Sequence, residues 1–290
     1  MKKIFLTLAT AVLLCGCSEQ ESMGELSNEM QFMGQMPATR VTASAFEQND
    51  QMSVYVTKYE ADSPSMLQFS GNYANNVKST FDGVKWNSST PVYWSEGKFD
   101  VFAFYPYGEP TSVKDYRFSV ALDQSTTRTP EALGGYEASD LLWAKATAVT
   151  KAGGIVPLTF SHRMSKLTVK LKKGPEYEGA FPDDIVVRVH NVVCDATVDI
   201  ASGIVTVDGR ATRKSVTANK LALDTYSAII VPQRMDNKLP LIEIMTKGVS
   251  YLVEGRFVFK AGMEHIYTVT LNGNPDQIKI EIGGEIEQQQ

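Results

Sequence analysis

The sequence predicts an all-β chain built as two tandem β-sandwich domains behind an export leader. Three observations carry this. From residue 41 onward apolar residues recur with period two, and no window supports a long amphipathic helix. Turn signals recur at the short spacing that antiparallel sheets require. The 290 residues, at about 150 per domain, leave room for two cores.

Composition narrows the function classes. With 43% hydrophobic and 10% aromatic residues the chain can bury a real core, which excludes a disordered tail. A formal charge of -5 carries no basic footprint for nucleic acid. Three cysteines and three histidines are too few for a disulfide framework or a Cys/His zinc cluster. The expectation is a binding or structural protein without a cofactor or metal, not an enzyme.

In chain order, Lys2 and Lys3 precede an uncharged run from Ile4 to Leu14, too short to span a bilayer and of signal-peptide length. Leu14-Cys15-Gly16-Cys17 is similar to a bacterial lipobox. Residues 1–16 are thus expected to be removed between Gly16 and Cys17, with lipid (palmitate) carried on Cys17. Cys194 then stands alone, so no intramolecular disulfide is expected. Residues 17–40 read as a polar tether with Glu19, Glu21, Glu25 and Glu29, and resemble an acidic surface-export signal. Within them Met30, Phe32 and Met33 form a short apolar strand candidate ahead of a proline-containing linker and Arg40.

Met52, Val54 and Val56 alternate with polar or aromatic neighbours, and Val101 to Tyr105 is apolar on both faces, as in a strand inside a sandwich. Residues 131–149 read as a short helix or a long connection, because Gly134 and Gly135 interrupt any pattern. A composition shift between Phe160 and Ser165 divides the body into residues 41–163 and 164–290. Beyond it Leu167, Val169 and Leu171 alternate cleanly; hairpins are expected across Ala201-Ser202-Gly203 and across Lys247-Gly248; Ser227 to Val231 is apolar throughout. Ile278, Ile280 and Ile282 alternate before Gly283-Gly284, as a groove-filling strand or the last strand of the second sandwich would.

Nothing in the chain reads as a reaction centre. His162, His190 and His265 fall in no ligand-spaced pair and read as structural. Ser161 and His162, adjacent on an extended chain, point to opposite faces and cannot act as nucleophile and base. The acidic pairs Asp183-Asp184 and Glu96 with Asp100 read as solvated loop residues, and Trp86 and Trp94 as core.

A set of motifs carries a family resemblance: Asp82-Gly83, Lys85-Trp86, Val92-Tyr93-Trp94, and Phe99-Asp100-Val101-Phe102-Ala103-Phe104-Tyr105-Pro106. Flanking them are Thr39-Arg40-Val41, Asp50-Gln51-Met52-Ser53-Val54-Tyr55, Asp140-Leu141-Leu142, Leu158 to Leu167 and Tyr267-Thr268-Val269-Thr270-Leu271. In order and spacing the chain resembles the Bacteroidetes fimbrillin family. The resemblance implies two transthyretin-like Greek-key sandwiches and a lipoprotein precursor reaching the outer-membrane surface. It implies cleavage between Arg40 and Val41 by a trypsin-like protease, and assembly with other fimbrial subunits by strand exchange into an adhesive, biofilm-forming type V pilus. A tip or anchor subunit is the nearest alternative. A monomeric glycan-binding surface lipoprotein with Trp143 as an aromatic platform is the rival from another class, and an exported hydrolase comes third.

Overall fold

Strands form where β-branched and aromatic residues concentrate, because these side chains pack well on a pleated, half-buried surface. The computed structural model describes residues 28–36, 45–272, 279–281 and 287–288. The first half runs β1 (Phe32–Gln35), β2 (Gln51–Lys58), β3 (Ala74–Phe81), β4 (Trp86–Ser88), β5 (Phe99–Tyr105), β6 (Tyr116–Ser119), α1 (Gly135–Ser139), β7 (Leu142–Val149), β8 (Val156–Thr159) and β9 (Ser161–His162). The second runs β10 (Ser165–Lys173), β11 (Val186–Val193), β12 (Asp195–Asp199), β13 (Ile204–Val207), β14 (Arg213–Thr217), β15 (Asn219–Ala222), β16 (Thr225–Ile230), β17 (Gln233–Thr246), β18 (Val249–Phe259), β19 (Met263–Leu271), β20 (Lys279–Glu281) and β21 (Glu287–Gln288). The described residues are all-β apart from the five-residue α1 and one short 3₁₀ turn.

The described strands make five sheets: β4-β3-β2-β5-β7-β9, β1-β8, β15-β16-β10-β19-β20 with β21 also on β19, β14-β11-β17-β18, and β13-β12-β6. Pairing between named strands is antiparallel except for β1 with β8 and β10 with β19. Partners change between β9 and β10, with one exception: β6 leaves its neighbours in sequence and pairs with β12. No local pattern in the chain signals that crossing.

Both predicted hairpins form, β12 with β13 and β17 with β18. Lys247 and Gly248 take φ of 48° and 75°, the paired positive values that match a two-residue turn to the twist of its strands. Residues 131–149 differ in part from the expectation. A short helix is there, but Leu142–Val149 is a strand lying along β5 with Leu142 opposite Tyr105. Gly134 and Gly135 do not interrupt that strand; they let the preceding loop close in. A Cβ on Gly134 would lie 2.7 Å from the Thr126 carbonyl oxygen, and one on Gly135 2.1 Å from that of Asp123.

Two cores result, and β5 separates them. All seven of its residues are buried. Phe99, Val101, Ala103 and Tyr105 face one core with Met52, Val54 and Val56 of β2. Phe102 and Phe104 face the other with Tyr55, Phe118 and the apolar residues of β10, β11 and β16. Period-two alternation on a strand buried on both sides is what puts successive side chains into different cores.

Candidate strand-exchange groove

The first core is closed by the N-terminal segment, residues 28–36. Met30 and Phe32 are buried, Gly34 and Met36 half-buried, while Met33 and Gln35 face outward. The backbone is held on two sides. On one, the Val156 N–H donates to the Gln31 carbonyl at 2.8 Å and the Phe160 N–H to that of Gln35 at 2.9 Å, as β1 runs parallel to β8. On the other, the Met30 N–H donates to the Val92 carbonyl at 2.6 Å and the Trp94 N–H to that of Asn28 at 2.7 Å. Side chains add to this clamp, with the Lys151 ammonium donating to Asn28 Oδ1 at 2.9 Å.

The inward side chains meet an aromatic wall. Phe46 packs edge-on against Trp86, Tyr105 and Phe160, with ring centroids 4.9, 5.5 and 5.4 Å away. A Cβ on Gly34 would lie 2.9 Å from Trp86 Nε1, so the strand passes this wall only because position 34 has no side chain. Burial of Met30 and Phe32 contributes about 1.5–3 kcal/mol each. Since β1 is the only ladder partner of β8 among the described residues, its loss would leave β8 with unpaired backbone groups over an apolar trough. Such an edge accepts an added strand.

A charged latch sits where the aromatic wall ends. Asp50, 3% exposed, accepts from the Tyr105 hydroxyl at 3.0 Å, the Arg128 guanidinium at 2.8 Å and the Glu47 N–H at 2.8 Å. Burial and the neighbouring Asp50 carboxylate push the Tyr105 phenol far above its ordinary range, so it stays a donor. The latch joins the start of β2, the end of β5 and the 128–137 connection, fixing one end of the trough. Sequence reasoning found the apolar strand but not this latch, the Val92–Trp94 flank or the parallel partner β8, all of which depend on distant pairing.

The other residues singled out from sequence are placed as follows. Gly16, Cys17, Arg40, Val41, Ile278 and Ile282 lie outside the described residues. Ile280 lies in β20, on the edge of β19 opposite Val269. The three histidines are apart: His162 pairs with Asp140 at 2.8 Å, His190 meets Ser215 and Glu243 at 2.6 and 3.1 Å, and His265 accepts from the Lys260 N–H. Asp184 receives Thr246 and the Lys247 N–H beside a turn, as a loop acid does. Asp100 is no loop residue: it is buried in β5, beside Tyr59, Lys145 and the Ala148 N–H.

Trp143 corrects an expectation. Its ring is not an open platform, because the Arg163 guanidinium lies 4.6 Å from it and Gly203 abuts it so closely that a Cβ would fall 2.6 Å away. Its indole N–H donates to the Ile200 carbonyl at 2.7 Å. The tryptophan fastens the β12–β13 turn to β7.

Comparison with known proteins agrees with this architecture. The chain is similar to crystal structures of candidate cell adhesion proteins from Bacteroides ovatus (20% identity, 90% of this chain and 97% of that chain covered, TM-score 0.69) and Bacteroides uniformis (20% identity, 84% and 93% covered, TM-score 0.65). It is also similar to a fimbrial protein from Bacteroides ovatus (17% identity, 83% of this chain and 48% of that chain covered, TM-score 0.52). At these identities the likeness shows the fold. No curated protein matches the chain. A family model described as fimbrillin-like matches residues 39–288, most of the chain, and the chain therefore belongs to the fimbrillin-like family.

Proposed function

We propose that the protein is a non-enzymatic structural subunit of a cell-surface fimbria, assembled by strand exchange and serving adhesion and biofilm formation. Family membership supports the fimbrial role. The observation that carries the mechanism is the seating of residues 28–36: alternate side chains buried, backbone clamped by segments far away in sequence, and β8 without another ladder partner among the described residues. In this reading Cys17 bears the lipid that holds the precursor at the outer membrane. An Arg-specific protease cuts between Arg40 and Val41. The cut detaches residues 17–40, and with them both the anchor and the strand, and a neighbouring subunit fills the trough.

The domains of this subunit are residues 41–163 and 164–290, each a transthyretin-like sandwich. The donor is the segment bearing Ile278, Ile280 and Ile282, which leaves the edge of β19 to enter the next subunit. Intact mass and N-terminal sequencing of sheared fibres and of the membrane fraction test the scheme. The expected result is unlipidated protein starting at Val41 in fibres and lipidated protein starting at Cys17 in membranes; fibres made of protein that begins at Cys17 would refute it. Deleting residues 278–290 should block polymerisation while leaving the first core folded, and unaffected fibres would remove the donor assignment.

A further inference from the structure

Beside the clamp, on the outer side of the Val92–Trp94 segment, lies an open groove of about 420 Å³ between β3 and the 89–93 loop, within the range of small-ligand sites (~300–1,000 Å³). Its lining contains no Asp, Glu, Lys, Arg or His, although 21% of the chain is charged. What lines it instead is aromatic and neutral polar. Tyr93 is 55% and Tyr73 39% exposed, and they are joined by a 2.7 Å hydrogen bond from the Tyr73 hydroxyl to the Tyr93 carbonyl.

The groove is built before any ligand arrives. Val92 and Trp94, buried on either side of Tyr93, fix the strand so that the tyrosine between them must point out. Tyr73 rests on Phe99 with ring centroids 4.9 Å apart. The Asn72 side chain ties the 68–75 loop together, accepting from the Gln68 N–H at 3.0 Å and donating to the Gln68 carbonyl at 2.6 Å and to Asn75 Oδ1 at 2.7 Å. Asn75 Nδ2 keeps only a 3.5 Å contact with the Asn72 carbonyl. Among the described residues the hydroxyls of Ser89, Thr90 and Tyr93 hold no hydrogen bond.

We infer that this groove is a binding site for a neutral saccharide. A pyranose presents an apolar C–H face and a rim of hydroxyls, which calls for an exposed ring to stack on and uncharged groups that both donate and accept. Tyr93 supplies the ring; Asn75, Ser89, Thr90 and the Tyr93 hydroxyl supply the rim. The absence of charge disfavours phosphates, sialylated or sulfated sugars and cations, each of which is bound through countercharge or anionic ligands. The site is complete with residues 28–36 in place, where Asn28 to Met30 pair with the Val92–Trp94 backbone, so the uncut chain is the form in which it is tested.

The test passes the full chain over immobilised lactose, cellobiose, maltose and N-acetyllactosamine, with sialyllactose for comparison. At least one neutral sugar should retain the protein. Tyr93→Ala should weaken that retention about tenfold, the loss of one stacked ring, while Tyr93→Phe keeps most of it; thermal unfolding should be the same for all three proteins. Thr90→Val offers a second reading, weakening retention without touching the ring. Retention on none of the neutral sugars, or equal retention by Tyr93→Ala, overturns the inference, as does a Tyr93→Ala protein that loses only its ability to polymerise.

Discussion

Phe32→Ala, made in a precursor that also carries Arg40→Ala to block the proposed cut, measures how separable the first strand is. Phe32 is 4% exposed and faces the core shared by β2, β5 and β8. Truncating a buried phenylalanine costs about 3–5 kcal/mol, which raises the constant for strand opening by about a hundredfold to a few thousandfold at 1.4 kcal/mol per decade. Hydrogen exchange reads this residue by residue. The amides of Met30, Trp94, Val156 and Phe160, which make the clamp's hydrogen bonds, should lose protection by that factor. The β10–β16 ladder, with Ser165 opposite Ile230, belongs to the other core and should keep its protection. Met33→Ala, at a side chain 40% exposed, should stay within about 0.5 kcal/mol of the parent. Unchanged exchange at the four amides would mean that Phe32 does not anchor the strand. Equal loss throughout the molecule would mean that the strand cannot leave without unfolding the subunit, and the exchange mechanism would fall with it.

Three other outcomes are expected. Lys166 and Glu264, each 6% exposed, form an ion pair at 3.2 Å that also receives the Thr168 hydroxyl; Lys166→Met should cost about 3–5 kcal/mol by leaving a buried carboxylate without its cation, while adding Glu264→Leu should restore most of the loss in urea titrations. Hydrogen bonds from Ser250 first, then from His190 and Arg188, hold Glu243 below its ordinary value of 4.5 despite its partial burial. A carboxylate lowered in the folded state stabilises above its unfolded value and ceases to do so as pH falls through the lower folded one, so Glu243→Gln should flatten the acid limb of the stability curve and leave the alkaline limb alone. Burial pushes the Cys194 thiol up to about 11, and at pH 8 it should react with a thiol reagent only in unfolded protein; rapid labelling of the native chain would place it at the surface instead.

Short-range chemistry was legible in the sequence. Alternation at Met52, Val54 and Val56 and at Leu167, Val169 and Leu171 marked β2 and β10, and Lys247-Gly248 marked a turn, because each signal is complete within a few residues. The apolar strand before Arg40 was visible for the same reason. What stayed hidden is set by residues far apart. Leu142–Val149 is buried at Leu142 and Ala144 and more exposed toward its end, a weak pattern made into a strand by its pairing with β5. The Asp50 latch needs Arg128 and Tyr105, which no local spacing connects to it. Trp143 offers an exposed aromatic in sequence and a covered one in the fold, because Gly203 brings a turn from the other half onto its ring.

The separation of the two cores bears most directly on how such a subunit could lose a strand and survive. Met30 and Phe32 belong wholly to the first core, and no residue of 28–36 enters the second. The sheet flooring the trough is held from behind, since Tyr55, Phe102 and Phe104, on the opposite faces of β2 and β5, are packed with the second core. Emptying the trough therefore exposes one face of these strands while their other face stays buried. A strand with both faces in use resists the rotation or register slip by which an opened sheet would otherwise collapse onto its own apolar surface, since a one-residue slip would exchange the two sets of side chains between the cores. The trough is then left open and unfilled, which is the state from which an incoming strand can be captured. Tyr55→Ala tests this, because it weakens the rear support without touching the groove: in a chain that begins at Val41 it should lower the rate of strand capture as well as stability, whereas a variant that captures strands as fast as its parent would show that the second core plays no part in holding the groove open.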